Sequence, residues 1–244
     1  MTVKKENYFS NTKNILVSLV FIFPFVLIYE IICFFYFRSE SYQIRNSADV
    51  IIRDFFNLFG LFSNEIYAVV LFAILLFIYF ISKSENKNIT INYKYLILMF
   101  FEGIIFGFLL LLLLNDFSIF TNYNIPYLDN LLLNLYLCIG AGIWEEILFR
   151  FFLFSFFYKF ANKLFNQKEI LSLFLSIAFS SFLFSMFHYI GNNADVFHFN
   201  TFFIRMVGGF FLSTLYYCRG FGIAVIAHIS YDFILVSLPV IYST

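Results

Sequence analysis

Charge is what this sequence has least of. Asp, Glu, Lys and Arg make up 12% of its 244 residues, against about 25% in an ordinary soluble domain. Apolar residues reach 62% and the mean hydropathy is +0.87, a composition that excludes a water-soluble globule and suits a bilayer. Fifteen basic residues balance fifteen acidic ones, so the global positive field that draws proteins to nucleic acid is missing and no nucleic-acid partner is expected. Cysteine is also scarce. Cys33, Cys138 and Cys218 are scattered without a CxxC pair, which argues against a zinc ribbon or a disulfide framework; they read as buried apolar thiols. The short alternating segments of a membrane β-barrel are missing as well.

What is present is long apolar runs. Several reach the roughly 20 residues needed to cross about 30 Å of hydrocarbon, and they recur along the chain. The expected fold is all-α, a polytopic transmembrane helical bundle of about seven spans plus one interfacial amphipathic helix, forming a single integral-membrane domain over 1–244. Spans are expected at about 14–37, 66–82, 95–114, within 128–158, and at 169–190, 202–218 and 223–241. Residues 1–13 read as a polar tail before a retained first span. Between 45 and 60, Asn46, Asp49, Arg53 and Asn57 recur at helical spacing opposite Val50, Ile51, Phe55 and Phe59. That pattern suits a helix lying in the interface plane, or equally a short core helix under a loop. Phe, at 41 residues, reads as lipid-facing filler. With abundant Ile, Asn and Lys it suggests an AT-rich genome, and a bacterial cell membrane is the expected location.

With seven spans, the tail and the loops on its side carry ten Lys and Arg. The other side has Arg38, Arg45 and Arg53, so the positive-inside rule places the N-terminus in the cytoplasm.

One segment breaks the apolar pattern. Glu145, Glu146 and Arg150 stand within six positions of a run otherwise fit for hydrocarbon, where each charge costs at least about 2.5–3.5 kcal/mol. On a helix Glu146 and Arg150 are four apart and can pair, while Glu145 is rotated away and free to take a proton. Two abutting acids repel and favour protonation of one, which is how a general base is prepared. A purely structural ion pair would account for Glu146 and Arg150 but not for Glu145. His188 and His228 lie in later spans, and Asp232 is one turn beyond His228; His198 falls in a polar loop and reads as solvated. Five acids in the spans (Glu30, Glu102, Glu145, Glu146, Asp232) face only Arg150 and Arg205. Protonation or a divalent cation would relieve that excess, and Glu/His ligation suits zinc.

The succession of EExxxR (Glu145, Glu146, Arg150), FxxxH (Phe184, His188) and an HxxxN-like run (His228, Asp232) resembles the CPBP family, the CAAX-protease and bacteriocin-processing intramembrane proteases. The resemblance covers about 130–240, and Arg205 with Gly209 and the run from Arg219 to Ala224 fit it too. It implies a CPBP-type intramembrane (metallo)endopeptidase cleaving a membrane-associated peptide or lipidated protein. By that resemblance the site is Glu145, Glu146, Arg150, His188, His228 and Asp232. Glu145 activates water, and Glu146 with Arg150 orders the helix around it. The two histidines either bind a metal with Glu145, zinc being expected, or stabilise the tetrahedral intermediate. The family usually has Asn where this chain has Asp232, which keeps alive a non-catalytic binding or immunity protein retaining the protease fold. A proton or ion transporter would suit the buried acids but lacks internal repeats. Depth poses a problem: on straight spans Glu145 falls mid-membrane, His188 towards the outer face and His228 towards the inner.

Overall fold

Five of the described elements pack closely against the last helix. The structure, a computed structural model, describes residues 7–36, 45–58, 60, 91–114, 131–166, 168–191 and 194–242. The elements in chain order are α1 (Tyr8–Thr12), α2 (Ile15–Tyr36), α3 (Ser47–Asn57) and α4 (Tyr93–Leu114). Helix α5 (Leu131–Gly140) runs on through two π-helical stretches, Ala141–Glu145 and Ile147–Phe154, into α6 (Ser155–Leu164). Then come α7 (Glu169–Phe187), α8 (Phe199–Arg219) and α9 (Phe221–Tyr242). The described residues contain no strand, so the fold is the all-α bundle read from the sequence. The span expected at about 66–82 lies outside the described residues.

Within α9, Ile223, Ala224, Val225, Ile226 and Ala227 are at most 1% exposed. A helix apolar on all sides over two turns belongs in the centre of a bundle. It packs against α4 above all, and also against α2, α5, the first π-helical stretch and α8. Small residues set these distances. A Cβ on Gly103 of α4 would lie 2.6 Å from Ile226, and one on Gly107 would lie 2.7 Å from the Ala227 carbonyl. The GxxxG spacing thus brings the two backbones together, as close membrane crossings require. Buried serines tie α7 to its neighbours: Ser185 donates to the Phe202 carbonyl of α8 at 2.6 Å, and Ser180 donates to the Phe149 carbonyl of the second π-helical stretch at 2.8 Å.

Among the described residues, four helices are long and apolar enough to cross a membrane: Ile15–Phe35, Tyr93–Leu114, Glu169–Phe187 and Phe199–Arg219, with a shorter apolar stretch at Phe221–Ser237. Their outward residues, such as Ile31, Phe35, Ile105, Leu113 and Phe174, are apolar and exposed, as a lipid-facing surface demands. The chain is therefore an integral membrane protein. Cys218 departs from expectation: it is exposed, whereas Cys33 and Cys138 are buried, and all three are free.

Helix α3 turns its polar side inward. Asp49 is fully buried and Arg53 nearly so, while Val50, Ile51, Phe55 and Leu58 are exposed. Arg45 and Arg53 both bridge Glu30 of α2 and Asp49, and Tyr29 donates to Asp49 at 3.2 Å. Burial pushes the Asp49 carboxyl up from the usual range, against the pull of Arg53 and Arg45. Amphipathic spacing located the helix, but the faces are reversed relative to one whose polar side meets water.

Candidate active site

The paired carboxylates sit where the helix is unwound to π geometry, a feature found mostly at functional sites. Gly142 lets this stretch lie directly on α9, since a Cβ there would collide with the Ile229 side chain and approach its backbone nitrogen to 2.9 Å. The consequence is that both acids meet His228. Its Nδ1 is 2.8 Å from Glu146 Oε1, and its Nε2 is 4.0 Å from Glu145 Oε2 and 3.6 Å from Asp232 Oδ2. Because a carboxylate only accepts, Nδ1 of His228 carries the donated proton.

Glu146 and Arg150 pair as their spacing predicts, at 2.8 Å, with both side chains fully buried. Arg150 also donates to the Gly209 carbonyl at 3.3 Å and lies over the Phe184 ring, 4.4 Å from its centroid. A desolvated guanidinium on an aromatic face gains about 2 kcal/mol or more. Phe184 meets His188 and His228 edge-on as well, with ring centroids 5.1 and 5.9 Å away. It is the apolar centre on which Arg150 and both imidazoles are set.

His188 caps the end of α7. Its Nδ1 donates to the Phe184 carbonyl at 2.9 Å, which leaves Nε2 uncommitted. Its own carbonyl accepts from Asp195 at 3.0 Å, and Asp195 holds Arg205 at 2.6 Å. Glu145, His188, His228, Asp232 and Arg205 all line one cavity of about 240 Å³. The difficulty over depth therefore does not arise: π geometry, the early end of α7 and the close approach of α9 bring the three segments to one place. His198 is exposed, as expected.

The acid excess is smaller than the span count implies. Glu30 is neutralised by Arg45 and Arg53, Glu102 by Arg219 at 2.5 Å and Glu146 by Arg150. Glu145 and Asp232 remain, both in the cavity and facing His228. The three residues read as zinc ligands, Glu145, His188 and His228, line the cavity. Among the described residues, however, no three His, Cys, Asp or Glu side chains come together as a metal-holding group.

Asn46, which the sequence marks only as part of a polar helix face, also belongs to the site. It caps α3 by accepting from the Ala48 backbone at 2.8 Å, and its amide donates to Glu145 Oε1 at 2.9 Å. The Asn46–Ala48 spacing announces a cap, but nothing in the sequence announces a partner 99 positions away.

Residues 127–234, rather less than half of the chain, match the family model described as type II CAAX prenyl endopeptidase Rce1-like. No curated protein and no solved structure matches the chain.

Proposed function

We propose, on the premise that residues 127–234 form a type II CAAX prenyl endopeptidase Rce1-like domain, that this integral membrane protein is an endopeptidase working inside the bilayer. The observation that carries the reading is the convergence of Glu145, His188, His228 and Asp232 on one membrane-embedded cavity. A peptide bond of a membrane-associated peptide or lipidated protein enters that cavity. Glu145 takes a proton from water, and the hydroxide attacks the scissile carbonyl carbon. As imidazolium ions, His188 and His228 donate Nε2–H to the carbonyl oxygen on which negative charge develops, their Nδ1–H groups being held by the Phe184 carbonyl and Glu146. Glu145 then returns its proton to the departing amine as the C–N bond breaks, leaving a carboxylic acid and an amine. General-base catalysis of this kind contributes about 10²–10⁴-fold.

Glu146 acts through His228 instead of on water. Its Oε1 accepts the hydrogen bond from Nδ1–H, which fixes the imidazole's orientation, and Arg150 keeps that carboxylate in place. Asn46 does the same for Glu145. Carboxylate and imidazole groups carry these steps; among the described residues the donors do not make up a metal-holding group. Zinc content of the purified protein, compared with His188→Ala, tests the metal expectation separately.

The substrate class is a prenylated CAAX tail in a host that prenylates proteins, and a peptide pheromone, bacteriocin leader or membrane-anchored protein in a bacterium. The N-terminus is assigned to the cytoplasm. One observation supports the sidedness: Lys13, Lys159 and Gly220 line one cleft, and the seven-span count assigns their three segments to the same face.

A second reading rests on Asp232. An ionised carboxylate cannot donate to an oxyanion as Asn does, which favours a non-catalytic binding or immunity protein. Profiling of peptide termini in membranes from cells expressing wild type or Glu145→Gln decides between the two. The protease reading expects termini present only with wild type; identical profiles alongside an unchanged cellular phenotype would support the second.

A further inference from the structure

A second cavity, of about 550 Å³, shares no lining residue with the first and opens where the α1–α2 junction, the start of α6 and the α8–α9 turn meet. Gly220 makes that meeting possible. Its φ of +96° suits glycine, and a Cβ there would stand 2.6 Å from the Thr12 carbonyl. The floor is apolar, formed by Ile15, Phe151, Phe154 and Phe221. Its rim carries Lys13 and Lys159, both exposed, together with Tyr158 and Tyr217.

Among the described residues, no acidic side chain lines the cleft. Neither lysine is in an ion pair among the described residues; Lys13 instead lies 6.0 Å from the centroid of the Tyr217 ring. Tyrosines mark the headgroup level of a membrane protein, and basic pockets between membrane helices are where acidic headgroups bind. We infer that this cleft binds an anionic phospholipid, with the phosphate between Lys13 and Lys159 and the acyl chains along the Phe151–Phe154–Phe221 floor. The apolar floor is what selects a lipid over a free anion. A phosphate alone would leave it in water, whereas an acyl chain covers it.

The test is native mass spectrometry of the delipidated full chain in detergent. Phosphatidylglycerol and phosphatidylcholine with identical acyl chains serve as probes, and inorganic phosphate as competitor. Retained phosphatidylglycerol adducts should exceed phosphatidylcholine adducts, and Lys13→Gln with Lys159→Gln should weaken phosphatidylglycerol retention roughly tenfold or more. Lys163→Gln, on the same helix but away from the cleft, should leave it unchanged. Equal retention of the two lipids, or undiminished retention in the double variant, would overturn the proposal. Displacement of the lipid by millimolar inorganic phosphate would also overturn it, assigning the site to a free anion. Both lysines are exposed and remote from the catalytic cavity, so the variants are expected to fold.

Discussion

His228 and Arg150 share a single oxygen of Glu146: Nδ1 of the histidine and a guanidinium nitrogen both lie 2.8 Å from Oε1. Glu146 is thus more than half of an ion pair. Removing Arg150 leaves a buried carboxylate without its main counter-charge, a change that typically costs about 3–5 kcal/mol. Arg150→Met is expected to lower the thermal unfolding midpoint in detergent sharply. Glu146→Leu combined with Arg150→Met should restore much of that stability, since a well-packed apolar pair replaces a buried ion pair at little cost. Activity should stay lost, because His228 then has no partner at Nδ1. An active double variant would reduce Glu146 and Arg150 to a structural pair.

Asn46 performs two tasks that substitutions can separate. Serine keeps the helix cap but is too short to reach Glu145, so Asn46→Ser should hold stability close to wild type while turnover falls about tenfold. Asn46→Ala should lose turnover and also about 1 kcal/mol of stability. Equal turnover in wild type and Asn46→Ser, measured on the same membrane peptide, would show that the hydrogen bond to Glu145 is incidental.

Asp232 is the position at which the site departs from the family pattern. Asp232→Asn adds an N–H donor in the cavity beside His228 and removes a charge facing Glu145. A gained oxyanion donor should raise turnover about tenfold or more, with little change in thermal stability. A fall in turnover would instead identify Asp232 as the group that orients His228 through Nε2.

Gly142 holds the acid-bearing stretch against α9. Gly142→Ala should cost about 1–3 kcal/mol by overpacking and reduce turnover, because it displaces Glu145 from His228. Ile229→Ala in the same background should recover part of both, as it removes the side chain that the new Cβ meets. No recovery would place the obstruction at the backbone of α9.

The bundle and the motif residues were legible in the sequence because apolar runs of span length and charges within them are both rare outside membrane proteins. Glu145, His188, His228 and Asp232 line one cavity, and Glu146, paired with Arg150, stands beside His228. What could not be read was rotation. Helical spacing on an α-helix sends Glu145 away from Glu146, but the π-helical turns bring both to His228, and no residue pattern forecasts that geometry. The direction in which α3 faces was hidden for a related reason. Amphipathic spacing shows that a helix has two faces, but in a bilayer the polar one turns towards the protein. The pairing of Glu102 with Arg219, 117 positions apart, likewise depends on packing alone.

Glu145 activates water in this proposal, while Glu146 only positions His228. The most direct test is single-turnover cleavage of a membrane-anchored peptide by purified protein in nanodiscs, comparing wild type with Glu145→Gln. The account predicts a loss of about 10²–10⁴-fold in the chemical step, with the unfolding midpoint and the retention of uncleaved peptide unchanged. Cleavage by Glu145→Gln at the wild-type rate would contradict it.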